Sequence, residues 1–232
     1  MRNRLIIFAV MCFVRCGTAG IYDEALTDYS RIVRAGLNEW YPLNGNLSSR
    51  IGGAGGTATA GYVTGMNRAN ENGKTICTTA SRFDFGSANF GANPFTISAW
   101  IKLNTVPGSL NSILQKGTTS TFWIGFKIEQ NGATALPLTF GNGAGGVNLT
   151  SSGVAAGIWY YFAFSYGNGT GTYYVGTYGS NLAVAGSSAG NYTQSGTLQI
   201  FTSVLDACAD DLLHYNRVLS FDELNQNFKS LE

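Results

Sequence analysis

The chain has 232 residues and a formal net charge of +1, from 14 Lys and Arg against 13 Asp and Glu. Only 12% of it is charged, about half the usual share, while 31 glycines and 12 tyrosines stand above average. That balance rules out a strongly basic nucleic-acid binder and an acidic disordered tail, and 44% hydrophobic residues rule out general disorder.

A chain of this length buries roughly 70% of its unfolded surface, so one folded domain is expected. Residues 1–19 read as a secretory signal. Arg2 and Arg4 precede the apolar run Leu5–Val14, and Gly17, Thr18 and Ala19 supply small residues for cleavage. Arg15 is discordant in that place. The competing reading is a start codon placed upstream, or an apolar N-terminal peg that stays on the protein and docks in an assembly. The run is too short to span a bilayer, and no other segment approaches the roughly 18 residues required.

Residues 20–36 form an expected helical segment. Tyr22, Ala25, Leu26, Tyr29, Ile32 and Val33 recur at helical spacing, acidic residues lead and Arg31 and Arg34 close it. Strands are then expected at Leu37–Leu43, Ser81–Phe85, Phe95–Leu103, Ser112–Gln115, Phe122–Glu129, Leu136–Phe140, Ile158–Tyr166, Thr172–Thr177, Leu198–Val204 and Asp211–Tyr215. The clearest is Phe95–Leu103, where Phe95, Ile97, Ala99, Ile101 and Leu103 alternate with Thr96, Ser98, Trp100 and Lys102. Gly52–Gly61 reads as a surface loop. A second helix closes the chain, with Ser220 and Glu223 as a capping box and Phe221, Leu224, Phe228 and Leu231 as its apolar stripe. Many short strands separated by Asn/Gly/Ser turns indicate an all-β, antiparallel sandwich with short N- and C-terminal helices.

Five stretches carry a family resemblance. Leu37–Gly45, Arg82–Phe85 with Pro94–Lys102, Ile113–Gly117, Gly157–Ala163 and Asp210–Ser220 occur in the order found in laminin G-like domains of the concanavalin A-like jelly-roll superfamily. The chain resembles that family over about residues 37–228, which implies a jelly-roll sandwich over 37–232. Tyr161 stands where the family often has His, and Tyr178-Gly179 where it often has Asp-Gly.

Glycosidases of such folds need two carboxylates on one strand face. Between Asp84 and Asp206 the chain holds only Glu129, so an enzyme is not expected. The single histidine, His214, is expected in the core. One His with scattered cysteines argues against zinc. Calcium is the remaining metal, since relatives hold it with loop carboxylates. Asp206, Asp210 and Asp211 are the candidates, with Asp84 approaching them, and the competing role for Asp210 and Asp211 is capping of local backbone. If the leader is removed, Cys77 and Cys208 remain, and either a disulfide or two buried thiols fits them.

From Thr105 to Leu205 the only charged residues are Lys116, Lys127 and Glu129. A surface of Gly, Ser, Thr, Asn and Tyr suits neutral partners, because hydroxyls and amides bond sugar hydroxyls and aromatic faces stack on sugar rings. Trp100 and Trp123 are expected as stacking platforms, unless loops or terminal helices cover them, with Tyr173 and Tyr178 as further ligand-binding candidates. The function expected is a secreted, non-catalytic module that adheres to a glycan or a surface protein. The alternative is a virion or surface-lattice component that packs against copies of itself, for which little mutual repulsion and a resemblance to virion appendages both speak.

Overall fold

The computed structural model describes residues 31–86, 93–106, 111–116, 126–130, 138–140, 147–149, 154–189, 197–201 and 205–230. The expected signal, Trp123 and residues 20–30 of the expected N-terminal helix lie outside them. In chain order the strands are β1 (Leu37–Tyr41), β2 (Thr57–Ala58), β3 (Val63–Met66), β4 (Asn72–Thr78), β5 (Phe83–Asp84), β6 (Phe95–Leu103), β7 (Asn111–Lys116) and β8 (Phe126–Gln130). There follow β9 (Leu138–Phe140), β10 (Val147–Leu149), β11 (Trp159–Gly167), β12 (Thr170–Thr177), β13 (Ala183–Ala189), β14 (Leu198–Ile200) and β15 (Ala207–Tyr215), then helix α1 (Phe221–Ser230).

The strands make two antiparallel sheets. The larger has the order β13-β12-β11-β6-β15-β4-β3, with β1 also on β15; the smaller has β10-β9-β8-β7-β14-β5-β2. The space between them is filled by the inward halves of alternating strands. Phe95, Ile97, Ala99, Ile101 and Leu103 of β6 meet Leu114, Leu198, Ile200 and Phe83 of the smaller sheet.

The polar-looking side of β6 is not at the surface. A second apolar cluster covers the outer face of the larger sheet, joining Trp40, Trp100, Trp159, Tyr161, Leu213 and Tyr215 to Ile32, Val33, Leu224 and Phe228. β6 and β11 are therefore buried on both faces along nearly their whole length. Thr96 on that side finds partners inside. Thr96 Oγ1 donates to the Arg217 carbonyl and accepts from Leu219 N–H, both at 2.9 Å, which fixes the approach to α1.

α1 starts where the capping box put it. Glu223 N–H donates to Ser220 Oγ at 3.3 Å, and Ser220 N–H to Glu223 Oε2 at 2.9 Å. Buried Asn227 then bonds three elements, accepting from Val33 N–H at 2.8 Å and donating to Tyr215 Oη at 2.9 Å. Gly176 lets the helix lie close, since a Cβ there would stand 2.9 Å from the Phe228 ring.

Three expectations change. Arg31 is helical but residues 32–36 are not, so the N-terminal helix does not reach Arg34; Ile32 and Val33 are instead drawn down onto the second core. Gly52–Gly61, read as loop, contains the two-residue strand β2. Strands β3, β4, β10 and β13 carried no expectation, because short, Gly-rich or small-residue edge segments such as Val63–Met66 and Ala183–Ala189 lack apolar alternation.

β15 changes partner halfway. Its first half pairs with β4 and its second with β1, while β6 runs along its other edge. At the changeover β6 advances two residues, Trp100 to Ser98, as β15 advances three, Asp210 to Leu213. This bulge puts Asp211 at φ 47° and turns the side chains of both Asp210 and Asp211 to the outer face.

Candidate functional site

The four aromatic candidates separate. Trp100 is 0% exposed. Phe228 lies parallel to it at 5.3 Å, Tyr161 is tilted against it at 5.3 Å, and the Arg68 guanidinium sits 4.7 Å above the ring. It therefore offers no stacking face to solvent, and the covering by a terminal helix weighed against it is what the fold contains. Tyr173 faces the inter-sheet core, 4.4 Å from Phe164, and is likewise no surface platform. Tyr178 is 45% exposed and touches Trp100 by its edge at 6.4 Å. Trp123 lies outside the described residues.

The three aspartates expected as calcium ligands do not come together. Asp210 and Asp211 are bound by Arg68, Nη1 to Asp210 Oδ2 at 2.7 Å and Nη2 to Asp211 Oδ2 at 3.0 Å, all three buried. Arg68 supplies the positive charge that a cation would have supplied. Burial, with Asp211 beside it, pushes the Asp210 carboxyl well above the usual carboxylate range, against the pull of Arg68. Asp206 is apart from them and accepts from Asn104 Nδ2 at 2.8 Å. Asp84 lies on the smaller sheet. Among the described residues no group of three His, Cys, Asp or Glu is placed to hold a metal.

Arg68 was absent from the candidates. A single arginine in a Gly/Asn-rich stretch carries no signal until the bulge shows where its charge goes. Cys77 and Cys208 are joined as a disulfide across β4 and β15, Cα atoms 4.0 Å apart. His214 is buried against Glu39, Nδ1 to Oε2 at 3.3 Å, and burial lowers its pKa.

With the outer face of the larger sheet covered, the outer face of the smaller sheet is the one that no second apolar cluster occupies among the described residues. A polar row crosses it. Register places Lys127, Gln115, Gln199, Asp84 and Thr57 side by side on five neighbouring strands. Gln115 Nε2 donates to Gln199 Oε1 at 2.8 Å and Gln199 Nε2 donates to Asp84 Oδ1 at 2.9 Å. Arg82 closes the chain, with Nε and Nη2 both near Asp84 Oδ2. At the other end the buried Gln115 Oε1 accepts no hydrogen bond among the described residues. The alternation of polar Gln115 and Gln199 with Leu114, Leu198 and Ile200 was visible in sequence. Their alignment across strands was not.

Residues 78–225 match the laminin G-like model of the concanavalin A-like lectin/glucanases superfamily. The chain belongs to this family. Among solved structures, this laminin G-like chain is similar to domain 4 of AbnA, a GH43 extracellular arabinanase from Geobacillus stearothermophilus solved with arabinotriose. The TM-score is 0.65 at 16% identity, over 84% of this chain and 99% of that one. It is also similar to Trypanosoma rangeli sialidase, with TM-score 0.57 and 13% identity over 85% of this chain. A GH54 α-L-arabinofuranosidase matches at TM-score 0.55 and 10% identity over 70% of this chain. The chain spans 33% of the sialidase and 41% of the arabinofuranosidase. At these identities the likeness is one of fold. No curated protein matches the chain in sequence.

Proposed function

We propose that this laminin G-like domain is a non-catalytic module that binds neutral carbohydrate on the outer face of its smaller sheet, at the half-buried Gln199 and Asp84. The observation that carries this reading is the row Gln115–Gln199–Asp84, whose hydrogen bonds run in one direction from the buried Gln115 to the half-buried Gln199 and Asp84. Each sugar hydroxyl both donates and accepts, so a line of amides ending in a carboxylate suits several of them at once.

Three further observations support the reading. The similar arabinanase domain was solved with arabinotriose. Asp84 on β5 and Glu129 on β8 are separated by three strand spacings in the smaller sheet, roughly 14 Å, whereas a glycosidase pair stands about 5–9.5 Å apart. The disulfide favours an oxidising, extracellular setting.

Calorimetry with arabinotriose and a panel of other neutral oligosaccharides tests it. Gln199→Ala and Asp84→Asn are expected to weaken binding at least tenfold while leaving the melting temperature within a few degrees. Binding unchanged in both variants, or no neutral glycan bound by the wild type, overturns the reading.

A further inference from the structure

The loop after β1 builds a second polar site, on a different part of the molecule from the smaller sheet. Residues 42–50 enclose a cleft of about 250 Å³, which is below the roughly 300–1,000 Å³ of pockets for drug-sized ligands and suits one ring. Pro42 and buried Leu43 are its apolar lining, and Asn44, Asn46, Ser48, Ser49 and Arg50 line the rest.

Most of the loop's polar groups are spent on its own shape. Asn46 Oδ1 accepts from Ser48 N–H at 2.8 Å, Asn46 Nδ2 donates to the Asn44 carbonyl at 3.2 Å, and Ser49 Oγ donates to the Ile51 carbonyl at 2.7 Å. Leu43 holds φ at 58°, a left-handed conformation that costs a non-glycine residue energy and is retained only where the surroundings impose it. Gly45, at φ 72°, lets the loop turn back, with its Cβ position 3.1 Å from the Gly73 carbonyl.

Three side chains are not spent. The Asn44 amide and the Ser48 hydroxyl make no hydrogen bond among the described residues, and the Arg50 guanidinium pairs with no carboxylate there. Arg50 is nonetheless held in place, 5.2 Å from the centroid of the Trp40 ring. A guanidinium fixed on an indole keeps a planar fork of donors, the shape that matches a carboxylate.

We propose that this cleft binds one carboxylated sugar ring, a uronate. Arg50 takes the carboxylate through paired charge-assisted hydrogen bonds, and Asn44 and Ser48 take ring hydroxyls. One cation matches one carboxylate, and neutral walls match an otherwise neutral ring. The proposal is independent of the neutral-sugar reading, because no residue is shared.

The test is titration of the ¹⁵N-labelled protein with D-galacturonate and D-glucuronate, with galactose and acetate as controls, read by NMR and calorimetry. Uronate is expected to shift amides within 42–50 and to bind at least tenfold more weakly to Arg50→Gln. Asn44→Ala is expected to weaken it severalfold, and Gln199→Ala to leave it unchanged. Equal binding of acetate means an anion site without sugar recognition and overturns the proposal. So does uronate binding that Arg50→Gln leaves intact, or the absence of any shift in 42–50. Arg50 is exposed, so its replacement leaves the core in place; an unchanged spectrum outside the loop verifies this.

Discussion

Phe228 of α1 lies nearly parallel to Trp100 of β6, ring centroids 5.3 Å apart and planes 20° from each other. Tyr161 packs against both rings, and Arg68 lies over the indole. A strand side that reads as polar in sequence is thus the floor of a second core, with the C-terminal helix as its cover.

Phe228→Ala removes the ring that closes this core. A loss of about 3–5 kcal/mol is expected for truncating a buried Phe, together with a red-shifted tryptophan emission as water reaches Trp100. Denaturant unfolding and fluorescence check both; unchanged stability and emission count against the covering role.

Arg68→Met strands two buried carboxylates, at a cost of about 3–5 kcal/mol near neutral pH. Without the cation both carboxyls favour protonation, so the deficit should shrink as pH falls from about 7 to about 5. Stability curves of wild type and variant over that range decide it, a constant gap being the contrary result.

The Cys77–Cys208 bond encloses 131 residues of sequence separation. By the chain-entropy account its removal in a Cys77→Ser/Cys208→Ser protein costs about 2–5 kcal/mol. Guanidinium unfolding of the two proteins measures this, and an equal midpoint would refute it.

Buried Lys116 has its pKa pushed down to about 8, chiefly by loss of solvation and against the attraction of Glu39. Its unfolded value is 10.5. Between these values the unfolded chain holds the extra proton, so this group's contribution to stability rises with pH. Tyr41, pushed up to about 12, acts in the opposite sense only above its ordinary value of 10. Raising pH from about 7.5 to about 9.5 should therefore shift the wild-type stability upward relative to Lys116→Met, and a parallel pair of curves would contradict it.

Much of the architecture was legible because period-two alternation depends only on neighbouring residues. Phe95–Leu103 and its inward set were readable, as were the Ser220/Glu223 cap and the family's ordered motifs. The site was less legible. Gln115, Gln199 and Asp84 come from separate strands, and their row exists only through register.

The local order of apolar and polar residues determined, by itself, that this chain forms antiparallel strands closed by a capped helix, because those preferences act over a few residues. Which faces stay open was a tertiary decision. Trp100 lost its expected surface role because α1 lies over it, Asp210 and Asp211 pair with Arg68 because a bulge turned both toward it, and the polar row lies on a face that no second apolar cluster occupies among the described residues. Each outcome depends on residues far apart in sequence, and only the folded chain brings their charges and surfaces within reach of one another.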